Sequence, residues 1–271
     1  MTGSSMLASL PMYDLPEARA ATDDMWSGIA SALRRAGIDD VPDALTRDPE
    51  IDVWHSRELL LSQTCGYPLT HALAGVVELV ATPAYTAERC SGADYCSVVI
   101  VSEDNPAAGL GDLRGGICAY NARDSQSGYN ALRAAIAPLA DGAAFFSNVV
   151  ESGGHANSIA LVATGRANVC AADCVTHAMI ATYCPDALDG TRVLCATECA
   201  PGLPYVTRAG IDRGDLERLR DGLRTAFADP DLAAARDTLF LSGVEMLGLD
   251  AYQRIDVMEN SARDSGYPEI H

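Results

Sequence analysis

The chain has 271 residues, 48% of them hydrophobic, with 37 acidic against 19 basic side chains and a formal net charge of −18. Such a charge repels nucleic acid and anionic lipid, and every base is Arg, so the absence of Lys also excludes Schiff-base chemistry and a Walker-type phosphate loop. No apolar run reaches the ~18 residues of a membrane helix. Met1 to Met6 shows neither the basic region nor the apolar core of an export signal, so the chain as written is expected in the cytoplasm.

A first strand is expected over Ser5 to Met12, then a helix over Pro16 to Ala36, where Met25, Ile29, Ala32 and Leu33 recur at helical spacing before Gly37. Leu59-Leu60-Leu61 reads as a buried strand running into a polar loop, Ser62 to Pro68, that carries Gln63 and Thr64. Further strands are expected at Val76–Ala81, Tyr95–Val101 and Ile117–Tyr120, the last preceded by a turn at Asp112–Gly116. Leu132, Ala135, Ile136 and Leu139 mark one face of the next helix. Phe145–Val150 is expected as a strand, and Ser152-Gly153-Gly154-His155 opens a helix that Gly165 stops. Asn168–Ala172 is a short strand from which Asp173 starts another helix, and Val193–Ala196 is a strand before the Pro201–Pro204 turn. Leu216, Leu219, Leu223 and Phe227 define a long amphipathic helix; beyond Leu232 the chain reads as helical, then irregular. Helices alternating with short apolar strands imply an α/β fold with parallel sheets and ligands at strand carboxyl ends.

Nine Cys are many for this length, and an odd number cannot all pair internally. Cys170/Cys174 and Cys195/Cys199 share a Cys-x-x-x-Cys spacing, with His177 nearby, but no zinc knuckle or third thiolate accompanies them. The expectation is core packing with room for one adventitious disulfide, and no metal or cofactor.

The richest chemistry lies at Asp124-Ser125-Gln126-Ser127-Gly128-Tyr129-Asn130. A helix start leaves about four backbone N–H groups without intrahelical partners and roughly half a positive charge. Ser125 and Ser127 add hydroxyls, and Gly128 lets an anion approach the backbone. Ser152–His155 occupies the equivalent place one strand later, so two helix starts converging on one anion would need no Lys. The plainer alternative is an ordinary Ser or Asp cap at each helix.

At these residues the chain resembles the phosphate, phosphite and phosphonate binding proteins of ABC transporters, within the type II periplasmic binding protein fold. The resemblance rests on an ordered set: Tyr95–Val101, Asp112–Gly115, Ser125–Gly128, Ser152–Ser158, Asn168–Asp173 and Pro201–Pro204, spanning roughly residues 50 to 210. It implies a two-lobed fold, each lobe a mixed, mostly parallel sheet flanked by helices and joined by two crossover segments. The lobes would be residues 1–95, 96–197 and a return over 198–271. It also implies that the Ser125-Gln126-Ser127-Gly128 start holds a phosphorus oxyanion, with Tyr95 and His155 lining the cleft and Asp173 reading the rest of the ligand. Gln126 stands where the family commonly has Thr. Tyr13, Gln63 and Thr64 are the expected contacts from strand ends of the other lobe.

The function so implied is a solute-binding protein that closes around a small oxyanion, serves an ABC permease or a regulatory partner, and breaks no bond. An enzyme on the same fold and a sensory binding module stand as alternatives. The family's export habit makes the periplasm the alternative to a cytoplasmic location.

Overall fold

The computed structural model describes residues 6–271; Ser5, expected in the first strand, lies outside the described residues. In chain order the elements are β1 (Leu7–Ser9), α1 (Arg19–Arg35), β2 (Leu59–Gln63), α2 (Gly66–Thr70), β3 (Val77–Tyr85), β4 (Asp94–Tyr95), β5 (Ser97–Ser102) and β6 (Ile117–Tyr120). There follow α3 (Ala131–Ala140), β7 (Asn148–Glu151), α4 (His155–Ala163), β8 (Val169–Asp173), α5 (Cys174–Tyr183), β9 (Thr191–Ala196) and β10 (Ala200–Pro201). The chain finishes with β11 (Tyr205–Arg208), α6 (Arg213–Ala228), α7 (Ala233–Thr238), β12 (Leu241–Glu245) and α8 (Leu249–Asp264).

Two compact units divide this chain. The first comprises the residues up to Thr86, Ser91–Ala93 and Pro201–Ala251. Its sheet runs β1-β2-β11-β3-β12, with β1 parallel to β2 and every other pair antiparallel. Neither β11 nor β12 was anticipated. β11 follows the Pro201–Pro204 turn with only four residues, and β12 carries a register shift between Leu241 and Gly243. Strands that short give too little alternation to stand out from a loop. Leu59, Leu60 and Leu61 are each 2% exposed or less, because both faces of β2 are covered. Helix α1 buries Met25, Trp26, Ile29 and Leu33 against α6 and α7. Gly222 of α6 makes that approach possible, since a Cβ there would run into the Leu33 side chain.

The second unit comprises Ala87–Cys90, Asp94–Ala200 and Tyr252–His271. Its sheet runs β7-β6-β8-β5-β9; β7, β6 and β8 are parallel, while β5 is antiparallel to β8 and β9. Val99, Val101, Cys118, Leu132, Ile136 and Val169 form its core, closed by Ala262, Tyr267 and Ile270 from the chain's end.

This last contact corrects the expected boundaries. The return over 198–271 was assigned to the first lobe, but α8 and the tail bury Tyr252, Ile255 and Tyr267 within the second unit. Phe145 and Phe146 also differ from expectation: they are buried core residues ahead of β7, not part of it. On α3, Leu139 is 38% exposed while Arg133 is buried, because Arg133 has partners inside and Leu139 lies beside the left-handed Asp141 that ends the helix.

Candidate functional site

Strand β6 ends at Tyr120, and the chain reaches Ser125 in an extended conformation. The Ser125 hydroxyl then accepts a hydrogen bond from Gly128 N at 3.0 Å. Gln126–Asn130 forms one π turn rather than a plain α-helical start, with Asn130 N donating to Ser125 O at 2.9 Å. The wider turn places the N–H groups of Gln126 and Ser127 ahead of the first bond of the helix, where a partial positive charge gathers.

The second expected loop is stitched to the same strand end. Ser152 N donates to Tyr120 O at 2.8 Å and Gly153 N to Asn121 O at 2.9 Å, with Gly153 in the left-handed region. Gly154 caps α4 with no side-chain bond, and His155 is its first helical residue. As a result His155 Nε2 lies 3.0 Å from Ser127 Oγ, which brings the two helix starts together. Behind them Ser97 Oγ donates to Ser127 O at 2.8 Å. Asp173 pairs in register with Ser97 across β5 and β8.

Asp173 caps α5 by accepting from Thr176 N at 2.8 Å and from Thr176 Oγ1 at 2.6 Å. Its Oδ2 is also 3.5 Å from His155 Nε2. A carboxylate oxygen only accepts, so it favours the tautomer with a proton on Nε2. In that tautomer His155 donates to Ser127 Oγ, and the serine O–H is left to donate elsewhere. Burial holds the His155 pKa below its ordinary value, against the opposing pull of Asp173 and of the Ala171 carbonyl. The ring is therefore neutral at neutral pH.

Gly128 lets the two loops come this close. A Cβ there would overlap Asn121 Oδ1 and come within 3.0 Å of His155 Cε1. Asn121 Oδ1 and His155 Nδ1 are both buried without a hydrogen-bond partner, an arrangement that costs free energy unless it serves something. Sequence reasoning missed Asn121 and Ser97. The signal for Asn121 was its position directly after a parallel strand, where such sheets place ligands.

The expected residues Ser125, Gln126, Ser127, Gly128, His155 and Asp173 are thus brought into one constellation. The Gln126 carboxamide faces inward, donating to Met258 Sδ at 3.2 Å and accepting from Asn130 Nδ2 at 2.7 Å. Tyr95 is buried in β4, two residues before Ser97. Tyr13, Gln63 and Thr64 belong to the first unit. There Gln63 Nε2 donates to Tyr85 Oη and to Leu203 O, both at 3.0 Å. Tyr13 meets Tyr85 edge to face, and Thr64 N donates to Pro204 O at 3.1 Å. Among the described residues no group of His, Cys, Asp and Glu is placed to hold a metal ion. No disulfide joins any of the nine Cys in this structure, so the adventitious one allowed for is not formed.

A family model described as ABC transporter, phosphonate, periplasmic substrate-binding protein matches residues 58–255. The chain belongs to this family. Its members bind a substrate for an ABC transporter rather than transform it. No curated protein matches the chain. A binding protein component of an ABC phosphonate transporter from Pseudomonas aeruginosa is similar over 96% of this chain and 87% of its own, at 15% identity and a TM-score of 0.76. A protein from Prochlorococcus marinus in complex with methylphosphonate covers 96% and 98%, at 13% identity and a TM-score of 0.73. A protein from Xanthomonas citri bound to ATP covers 97% and 98%, at 20% identity and a TM-score of 0.70. At these identities the likeness shows the fold, that of the type II periplasmic binding proteins.

Proposed function

We propose that the Ser125–Gly128 turn, with Asn121 and His155, holds a tetrahedral phosphorus oxyanion such as phosphate, phosphite or a phosphonate for delivery to an ABC permease. The observation that carries this reading is the meeting of Ser127 Oγ and His155 Nε2 at 3.0 Å, beside a glycine where a Cβ would overlap the Asn121 carboxamide. In this reading the N–H groups of Gln126 and Ser127 and the Ser127 hydroxyl donate to the anion. Gln126 contributes through its backbone, since its carboxamide is engaged with Met258 and Asn130. Tyr95 lines the site, and Asp173 both orients His155 and faces any cationic group the ligand carries. The family's description as periplasmic supports that compartment over the cytoplasm, and no helix among the described residues is long and apolar enough to cross a membrane.

A thermal-shift and calorimetric screen of phosphate, phosphite, methylphosphonate, an aminoalkylphosphonate and sulfate tests the reading. A ligand present at 100 times its Kd stabilises the fold by about 2.7 kcal/mol. At least one of the phosphorus ligands is expected to do so. If none shifts the unfolding transition, the oxyanion reading fails.

A further inference from the structure

Four of the nine cysteines meet in the second unit. Cys90 Sγ lies 3.4 Å from Cys174 Sγ. The Cys96 thiol interacts with both Cys174 and Cys199, and also donates to Arg89 O at 3.7 Å. Cys174 N in turn donates to Cys96 O at 3.0 Å. The four residues come from three stretches of chain, Cys90 and Cys96 from the first, so the cluster is made by the fold and not by either Cys-x-x-x-Cys spacing. Cys174 is 3% exposed, Cys90 is half-buried and Cys199 is exposed. With no metal-holding group among the described residues, the chemistry left to this cluster is that of thiols.

We propose that Cys90 and Cys174 are a redox pair that closes to a reversible disulfide by exchange with an external disulfide. Two sulfurs in van der Waals contact need to move only about 1.4 Å to reach bonding distance, a displacement that side-chain rotation supplies. The hydrogen bond to Cys90, together with burial, pushes the Cys174 thiol up to about 12. Cys90 is the more exposed of the two and therefore the entry sulfur, with Cys174 the resolving one. The Cys90 thiolate attacks one sulfur of the external disulfide; that S–S bond breaks, and one thiolate leaves and is protonated. Cys174 then loses its proton and attacks Cys90 Sγ in the mixed disulfide, releasing the second thiol. The protein gives up two protons and two electrons, and the external disulfide becomes two thiols.

The bond would join residues 84 apart in sequence and pin the first residue of α5. That residue follows Asp173, the cap that faces His155. A cross-link over so long a loop constrains the unfolded chain strongly, so the oxidised protein should unfold at a temperature several degrees higher. The family's periplasmic setting is one in which such a bond persists.

The test is independent of ligand binding. Reduced protein is incubated with glutathione disulfide, quenched with an alkylating agent, and read by intact mass and peptide mapping. The expected result is two fewer alkylated thiols, a peptide joining Cys90 to Cys174, a raised unfolding temperature, and reversal by dithiothreitol. Cys90→Ser should abolish all of these, whereas Cys118→Ser, a buried thiol elsewhere in the core, should keep them. Retention of all nine thiols, or a link between Cys96 and Cys199 with Cys90 still alkylated, overturns the proposal. Peptide mapping of the wild-type protein decides the matter even if Cys90→Ser does not fold.

Discussion

Gly128→Ala separates crowding at the proposed site from ordinary loss of stability. Gly128 is not among the residues with positive φ, so alanine meets no backbone strain there. In a helical turn the change from Gly to Ala even favours the fold by roughly 0.5–1 kcal/mol. Against that, the new Cβ overlaps Asn121 Oδ1 and lies 3.0 Å from His155 Cε1. Asn121 can swing its carboxamide aside, but its backbone is held by Gly153 N at 2.9 Å. Overpacking of this kind costs about 1–3 kcal/mol, so the net destabilisation should stay within about 2 kcal/mol. The ligand loses more. A methyl group wedged between Asn121 and His155 displaces the oxyanion from two donors, each charge-assisted bond being worth about 1.5–3 kcal/mol. That corresponds to at least a roughly hundredfold weaker Kd. Urea unfolding would measure the first quantity and calorimetry with the best phosphorus ligand the second. Wild-type affinity in a variant that is nonetheless destabilised would show that Gly128 serves packing alone, and the reasoning would fail.

Other perturbations should read the same network. Because burial lowers the His155 pKa in the folded state, the unfolded chain binds more protons below about pH 6.5, so stability should fall as pH drops through that value and level off below the folded pKa. His177 is lowered in the same direction, so the difference between wild type and His155→Gln in urea melts across this range isolates the His155 share. Asp173→Asn removes the charge that opposes burial, and an NMR titration should find the His155 pKa lower still; a rise would contradict the assigned geometry. Arg133→Met should cost about 3–5 kcal/mol, as breaking a buried ion pair does. Its guanidinium donates to Asn130 Oδ1 at 2.6 Å and to Pro268 O at 2.7 Å and lies 3.5 Å from Glu259. Hydrogen exchange should accelerate first over residues 252–271.

Much of the fold could be read from pattern. The apolar spacing of α1 and α6 and the buried run at β2 are strong local signals, and each helix formed where its periodicity pointed. What escaped was decided by distant partners. β11 has four residues, and its place between β2 and β3 depends on both neighbours. Tyr267 and Ile270, with Ala262, complete a core whose other members lie between Val99 and Ala171, and no local feature announces that. The loops at Ser125 and Ser152 were visible because Ser and Gly concentrate there. The inward turn of Gln126 was not, since it follows from Met258 and Asn130 standing opposite. Asn121 carries no motif; only its place after a strand marks it.

A chain with a net charge of −18 and no Lys must choose among anions by hydrogen-bond pattern and not by charge. Arg133, beneath the turn, is neutralised by Glu259 and engaged with Asn130, so it adds little field. In the proposed site the donors are N–H groups and the Ser127 hydroxyl. Asn121 Oδ1 and a neutral His155 Nδ1 stand out as unsatisfied acceptors. An acceptor facing a fully ionised oxyanion is left unpaired and repelled, whereas a P–OH group satisfies it. Phosphate keeps a P–OH near neutral pH, and a phosphonate keeps one until its second ionisation; sulfate does not. Leaving a buried acceptor unsatisfied costs about 1–3 kcal/mol, so sulfate should bind at least about fivefold more weakly than phosphate at neutral pH. The gap should narrow in acid, as His155 gains a proton and Nδ1 becomes a donor. Equal affinities for sulfate and phosphate near pH 7.5, or a gap that widens as His155 protonates, would mean that Asn121 and His155 face something other than the anion.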